Sequence, residues 1–200
     1  MLKEFKLSEV ATQIDEIVGL ALAGLLKKNG FRKSGRTWHK SVSDDWQIVN
    51  AQASAANSRE QGKFVVNLGV YCAQVADLAG QKRPERFPKE FETTVRERLG
   101  SLAYKYDHWW TVEPNSNLNE IASDVEAKMQ ASGLQWLDAH LDVARIATHL
   151  QGSPNLHALS AAWLAWGKRE AVRQYEAAIA ARPAAKNHYV AWAVKSGLVG

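Results

Sequence analysis

The sequence predicts an α+β fold with an N-terminal helix, an antiparallel sheet of about four to five strands and a C-terminal helical layer. Three observations support this prediction. Apolar residues recur at helical spacing over residues 8–28, alternate along strands over residues 36–72, and return to helical spacing after residue 117. The 200 residues are 46% hydrophobic and 23% charged, which is the balance of a globular chain that can bury a core.

The first predicted helix covers residues 8–28. Its apolar side chains recur every three or four residues and therefore form one stripe along the helix. Ser8 is a suitable N-cap, because its hydroxyl can accept a hydrogen bond from a free backbone N–H. Asn29 and Gly30 follow the last helical turn and predict where the helix ends.

Three strands are predicted next, at residues 36–42, 46–54 and 62–72. In the third strand apolar residues occupy every second position, and Asn67 and Tyr71 lie at alternate ones. In the second strand Asn50 and Gln52 share a face. Because successive strand residues point to opposite faces, we expect these four side chains to form one polar surface on adjacent strands.

The middle of the chain predicts a loop, a short helix and a fourth strand. The loop covers residues 80–90, which contain two prolines and several charges. The helix is expected at residues 90–99 and the strand at residues 101–112. Trp109 and Trp110 are neighbours in this strand and must face opposite ways. We therefore expect one in the core and the other either under a helix or available to a partner.

From Asn117 onward the sequence predicts a helical layer. Asn117 and Glu120 form an approximate capping box, and Gly133 predicts the end of that helix. Further helices are expected at residues 138–150, 154–166, 169–181 and 186–195. We therefore divide the chain into an α+β domain, residues 1–150, and a C-terminal helical extension packed on it, residues 151–200.

The sequence lacks the motifs of common catalytic, nucleotide and metal sites. The single cysteine, Cys72, cannot form an intramolecular disulfide, and its place on an apolar strand face indicates a core residue rather than a nucleophile. The six histidines do not have metal-ligand spacing. We therefore predict no metal site, no cofactor and no catalytic residues.

The sequence also indicates where the protein is located. The longest apolar stretch, residues 17–26, has ten residues, which is about half of what is needed to cross a bilayer. Acidic residues interrupt the N-terminal region in which a secretory signal would be apolar. Together with the low cysteine content, these features predict a cytoplasmic protein that does not bind membranes.

A basic segment at residues 27–40 suggests a weak nucleic-acid interaction. The net charge is only +4, but this segment contains six basic residues and no acidic one, with two aromatic residues between them. Such a segment can follow a phosphate backbone, although a solvated helix end and loop is the commoner structure. The basic residues are Lys27, Lys28, Arg32, Lys33, Arg36 and Lys40.

Tryptophan is frequent, with eight in 200 residues. This residue is favoured in cores and in the hot spots of interfaces. Beside a polar sheet face, a tryptophan would form an amphipathic groove for another protein, a peptide or a polar small molecule, unless the C-terminal helices cover that face. The candidate binding residues are Asn50, Gln52, Asn67, Tyr71, Arg98, Trp109 and Trp110.

Two functional hypotheses follow from this surface. The leading one is a non-enzymatic cytoplasmic module that binds another protein, since no catalytic constellation accompanies the tryptophans. The alternative is a small-molecule-binding protein or an enzyme with a pocket on the same polar sheet face. Nucleic-acid binding through residues 27–40 is the third.

Several short motifs form a recognisable set. Those of the N-terminal half are Asn29-Gly30-Phe31-Arg32-Lys33, Arg36-Thr37-Trp38, Val49-Asn50-Ala51-Gln52 and Phe64-Val65-Val66-Asn67-Leu68-Gly69-Val70. Those that follow are Arg98-Leu99-Gly100 and Asp107-His108-Trp109-Trp110. With these motifs, residues 5–150 resemble bacterial members of the domain of unknown function 4304 family. The resemblance implies an α+β domain in bacteria and assigns no activity, and the helices after residue 152 depart from that pattern or extend it.

Overall fold

A computed structural model describes residues 9–199 and contains a six-stranded sheet. The strands are β1 (Arg32–Ser34), β2 (Thr37–Val42), β3 (Asp45–Ala53), β4 (Gly62–Tyr71), β5 (Val95–Arg98) and β6 (Trp110–Val112). Their order is β1-β2-β3-β4-β5, and β6 pairs antiparallel with the beginning of β4. The predicted α+β class with an antiparallel sheet is confirmed.

The helices precede, interrupt and follow this sheet. They are α1 (Glu9–Val18), α2 (Gly24–Lys28), α3 (Ala73–Leu78), α4 (Leu99–Tyr104), α5 (Leu118–Lys128), α6 (Leu134–Ala139), α7 (Val143–Leu150), α8 (Leu156–Trp166), α9 (Lys168–Ala181) and α10 (Lys186–Ser196). Within residues 9–199, every helix is too short or too polar to cross a bilayer.

The predicted first helix is confirmed, with one irregularity. A π-helical turn, Gly19–Ala23, joins α1 to α2. Ile14, Ile17 and Leu22 of its apolar stripe are fully buried, as the spacing requires. The expected N-cap, Ser8, lies outside the described residues.

Strand β1 is a short, basic edge strand. It pairs with β2 so that Ser34 lies opposite Thr37, and Gly35 takes a φ of 60° in the turn between them. All three residues of β1 are exposed, and two of them are Arg32 and Lys33. Exposed charges on a short edge strand discourage pairing with strands of other molecules.

The prediction for residues 90–112 was wrong in two places. Where we expected a helix at residues 90–99, the chain forms a single 3-10 turn, Glu90–Glu92, and then strand β5. Where we expected a strand at residues 101–112, it forms α4, which is followed by Lys105 with a φ of 66°, and only the short strand β6. The left-handed backbone at Lys105 reverses the chain, so the aromatic residues that follow gather around a bend.

Gly133 does not end a helix, contrary to the prediction. It closes a π-helical turn, Met129–Gly133, that joins α5 to α6. A Cβ atom at Gly133 would lie 2.5 Å from the sulfur of Met129 and 3.1 Å from a methyl of Leu99. The glycine therefore allows close packing inside a continuous helix.

Two helix boundaries in the C-terminal part also differ from the prediction. The helix expected at residues 138–150 is interrupted, because the Asp142 side chain accepts a hydrogen bond from the Ala144 N–H (2.8 Å) and caps α7. Helix α8 begins at Leu156 rather than at Pro154, because Asn155 accepts a hydrogen bond from the Ala158 N–H (2.9 Å).

The chain forms two compact units. The first unit comprises the described residues up to Lys40, Gln47–Leu68 and Arg96–Trp136, and the second comprises Ser41–Trp46, Gly69–Val95 and the described residues from Leu137 onward. In the first unit, α1 and α5 pack against each other and bury side chains such as Ile14 and Val125. In the second, α8, α9 and α10 bury a cluster around Trp192. The division at residue 150 stays a prediction.

Candidate functional site

A row of polar side chains crosses strands β2, β3 and β4 in the first unit. Backbone hydrogen bonds from Ser54 to Lys63 and from Ala51 to Arg36, both 2.9 Å, set the register of β3 against its two neighbours. In an antiparallel ladder this register places Asn50 opposite both Asn67 and Thr37. We call the set of Thr37, Asn50, Gln52 and Asn67 the amide row.

Hydrogen bonds connect the whole amide row. The Asn67 amide nitrogen donates to Gln52 Oε1 (2.9 Å) and to Asn50 Oδ1 (3.5 Å), and the Asn50 amide nitrogen donates to Thr37 Oγ1 (2.8 Å). Asn67 is buried, Asn50 is half-buried and Gln52 is exposed. The row therefore fixes the buried amide and presents Gln52 at the surface.

Tyr71, the fourth residue expected on this polar face, belongs to the second unit. It is 1% exposed, and its hydroxyl forms no hydrogen bond with residues 9–199. Burial raises the pKa of Tyr71, and the carboxylate of Asp77 acts in the same direction. The structure thus brings together three of the four predicted polar residues and places Tyr71 in a different unit.

Arg98, Asp107 and Trp109 form a second cluster, which we call the Arg98–Trp109 patch. Arg98 Nη1 donates to Asp107 Oδ1 (2.6 Å), and Trp109 Nε1 donates to Asp107 Oδ2 (3.2 Å). The guanidinium carbon of Arg98 lies 5.1 Å from the centroid of the Trp109 ring. Hydrogen bonds from Arg98 and Trp109 lower the pKa of Asp107. One carboxylate thus orients a cation and an aromatic ring at the surface.

Trp110, the next residue in the chain, lies in the core. It is 4% exposed, stacks on Phe64 with the ring centroids 5.6 Å apart, and donates from Nε1 to Asp124 Oδ2 (2.8 Å). The Tyr104 hydroxyl donates to the same oxygen (2.6 Å). Of the two neighbouring tryptophans, Trp110 is the core residue and Trp109 is the half-buried one.

The pairing of β4 with β6 fixes the direction of the Trp110 side chain but not that of Trp109, which precedes the strand. In the pairing of β4 with β6, Trp110 lies opposite Phe64 and stacks on it. Asn67 is three positions from Phe64 and therefore points to the other face of β4. Trp110 and Asn67 therefore lie on opposite faces of the sheet.

Tyr104, Asp124 and His108 were not predicted as site residues. The Tyr104 and His108 rings are 4.3 Å apart, and the His108 ring meets Trp110 edge-on at 5.1 Å. Burial and the hydrogen bond to Asp124 raise the pKa of Tyr104 to about 12, so this hydroxyl stays protonated at neutral pH and can donate to Asp124. The signal that could have led to Asp124 is chemical, because a buried tryptophan N–H needs an acceptor.

The charge on Asp124 stabilises the fold in a pH-dependent way. Burial alone would raise the pKa of Asp124, but hydrogen bonds from Tyr104 and Trp110 and the charge of Lys128 outweigh it, so the pKa is below its ordinary value of 3.8. The stabilisation by the Asp124 charge is complete at pH values above the ordinary pKa of 3.8. It is lost as the pH falls through the lowered pKa of the folded protein.

We therefore expect Asp124→Asn to lower the free energy of unfolding by about 1–3 kcal/mol at neutral pH. The variant should also lose part of the acid dependence of stability, measured by urea unfolding between about pH 2 and pH 6. Asp107→Asn is the control, because its ion pair is exposed to solvent and adds little. An unchanged acid dependence in Asp124→Asn would contradict the assignment.

The basic segment has structural roles for several of its charges. Arg36 Nε pairs with Asp15 Oδ1 at 2.6 Å. Lys33 lies over the ring of Trp38 at 5.2 Å, and Lys40 lies over the ring of Phe31 at 5.6 Å. These contacts favour a solvated helix end and edge strand, and nucleic-acid binding stays a prediction.

The other candidates for chemistry in the sequence are Cys72 and the histidines. Cys72 is 1% exposed, and burial raises the pKa of its thiol, so it remains a neutral core side chain at neutral pH. Among residues 9–199, no group of three or more His, Cys, Asp or Glu side chains could hold a metal ion. In the first unit, the carboxylates of Asp107 and Asp124 accept hydrogen bonds from neighbouring donors.

Comparison with known proteins identifies the family. The family model described as "Domain of unknown function (DUF4304)" matches residues 22–139, more than half of the chain. No curated protein and no solved structure matches this chain. The matched residues include the amide row, the Arg98–Trp109 patch and Asp124, whereas helices α7 to α10 lie beyond them. On this match, the chain belongs to the DUF4304 family.

Proposed function

We propose that this protein is a non-enzymatic module of the bacterial cytoplasm that binds another protein through the Arg98–Trp109 patch. The observation that carries the proposal is the surface pair of Arg98 and Trp109, both held by Asp107. The buried, neutral Cys72 is consistent with a reducing compartment.

The chemistry of the patch fits a protein partner. Arginine and tryptophan are enriched among the few interface residues that contribute most of the binding energy. Asp107 already orients both side chains. A partner that contacts them would therefore cost less side-chain conformational entropy than if Arg98 and Trp109 moved freely. The partner would place a carboxylate or carbonyl group on the outer N–H groups of Arg98 and an apolar side chain on Trp109.

The alternative of a small-molecule pocket on the polar sheet face, at the amide row, has less support. Such a pocket would need Asn67 to contact its ligand. The Asn67 amide nitrogen instead donates to both Gln52 and Asn50. An amide committed to its neighbours supports the sheet surface rather than ligand recognition.

The test is affinity capture from cells of the source organism with the native chain and with the double variant Arg98→Ala, Trp109→Ala as baits. We expect a stoichiometric protein partner whose recovery falls at least about tenfold with the double variant. Trp166→Ala is the matched control, because Trp166 is 38% exposed and belongs to the second unit.

The outcomes of this experiment separate the hypotheses. Equal recovery of the partner with native and doubly substituted baits would exclude this patch. A retained small molecule without a protein partner would instead support the small-molecule-binding hypothesis. Retained nucleic acid that is released as the salt concentration rises would favour the basic segment.

A further inference from the structure

The second unit contains a cavity that is separate from the proposed binding surface. It has a volume of about 340 Å³ and is bounded by the end of α3, the first residue of α8 and one face of α10. This volume lies at the lower end of the range of small-molecule sites. Half of its ten lining residues belong to helix α10, which is outside the residues that match the family model.

The interior of the cavity is mainly apolar. Its walls include Leu78, Leu156 and the ring of Trp192. Trp192 Nε1 already donates to the Leu78 carbonyl (2.7 Å), and its ring meets Trp163 edge-on with the centroids 6.3 Å apart. The indole is therefore fixed in place and offers a ligand an apolar face rather than a donor.

The rim of the cavity is positively charged. Asp77 lies at the rim, but its two oxygens accept hydrogen bonds from Arg83 at 2.9 and 2.5 Å. Hydrogen bonds from Arg83 lower the pKa of Asp77, which keeps that pair ionised and mutually neutralised. Lys195 also lines the cavity and forms no ion pair with the described part of the chain. His188 is the second basic side chain, two helical turns before Lys195.

From this arrangement we infer that the cavity binds a small organic acid, whose apolar body packs against Trp192 and Leu156 and whose carboxylate pairs with Lys195. An apolar interior with a single uncompensated charge at its edge selects such a ligand over a neutral molecule of the same shape. This inference is independent of the proposed protein-binding function, because its residues belong to the second unit.

A matched pair of probes tests the inference. Hydrocinnamate has a phenyl ring and a carboxylate, and its amide has the same body without the charge. Each probe is titrated into the full chain while the indole N–H signal of Trp192, assigned from its loss in Trp192→Phe, is followed by two-dimensional NMR. We expect a saturable shift of this signal, with the acid binding about tenfold more tightly than the amide.

Three substitutions on α10 make the test specific. Lys195→Gln should remove the preference for the acid, whereas Lys186→Gln, on the same helix but outside the cavity, should leave it unchanged. Ala191→Phe should fill the cavity and abolish the binding of both probes. Equal affinities for acid and amide, a Trp192 signal that does not move, or equal effects of the two lysine substitutions would each overturn the inference.

Discussion

Trp110→Ala is expected to lower the free energy of unfolding by about 3–5 kcal/mol. The substitution would leave a cavity beside Phe64, on which the Trp110 ring stacks. It would also remove one of the hydrogen bonds that Asp124 accepts. The change is measured by urea unfolding at neutral pH, followed by circular dichroism, because removing a tryptophan alters the fluorescence signal itself.

The neighbouring tryptophan provides the control for this prediction. Trp109 is only half-buried and its contacts with Arg98 and Asp107 are exposed, so Trp109→Ala should cost less than about 1 kcal/mol. Its larger effect should be on partner binding. Similar losses of stability in the two variants would mean that Trp109 and Trp110 do not divide surface and core between them.

Gly100→Ala is expected to have the second large effect, a loss of about 1–3 kcal/mol. A Cβ atom at Gly100 would lie 2.5 Å from the backbone oxygen of His108. The backbone oxygen cannot rotate away as the end of a side chain could, so the segment that carries Asp107 and Trp109 must shift. We therefore expect both urea stability and partner binding to decrease.

A second glycine within a helix provides the control for the Gly100→Ala prediction. Gly24 lies in α2, and a Cβ atom there would meet no other atom within 4 Å. Alanine is preferred to glycine in a helix by about 1 kcal/mol, so Gly24→Ala should be neutral or stabilising. If Gly100→Ala also stabilised the protein, the close approach of α4 to His108 would be disproved.

The sheet could be predicted from the sequence because its alternation is local. Asn50 and Gln52 are two positions apart, and strand periodicity alone places them on one face. The register that aligns Asn50 with Asn67 then depends on the β3–β4 pairing, and the predicted strands were close enough to the observed ones to preserve it.

The segment from Arg98 to Trp110 could not be predicted in this way. Its aromatic residues alternate in the sequence as they would in a strand, but they surround a bend that begins at Lys105. Their common partner, Asp124, is 20 residues from Tyr104 and 14 from Trp110. Such contacts depend on the tertiary fold, and no local pattern encodes them.

The charged edge at β1 affects the kind of partner that the protein can recognise. Many modules capture an extended peptide by adding it as a further strand, and then backbone hydrogen bonds supply much of the affinity. The short, exposed strand with Arg32 and Lys33 disfavours this mode at its edge of the sheet. Recognition by the Arg98–Trp109 patch would instead depend on side chains. We therefore expect the partner to be a folded surface, selected by the shape and charge that it presents, rather than a linear peptide motif.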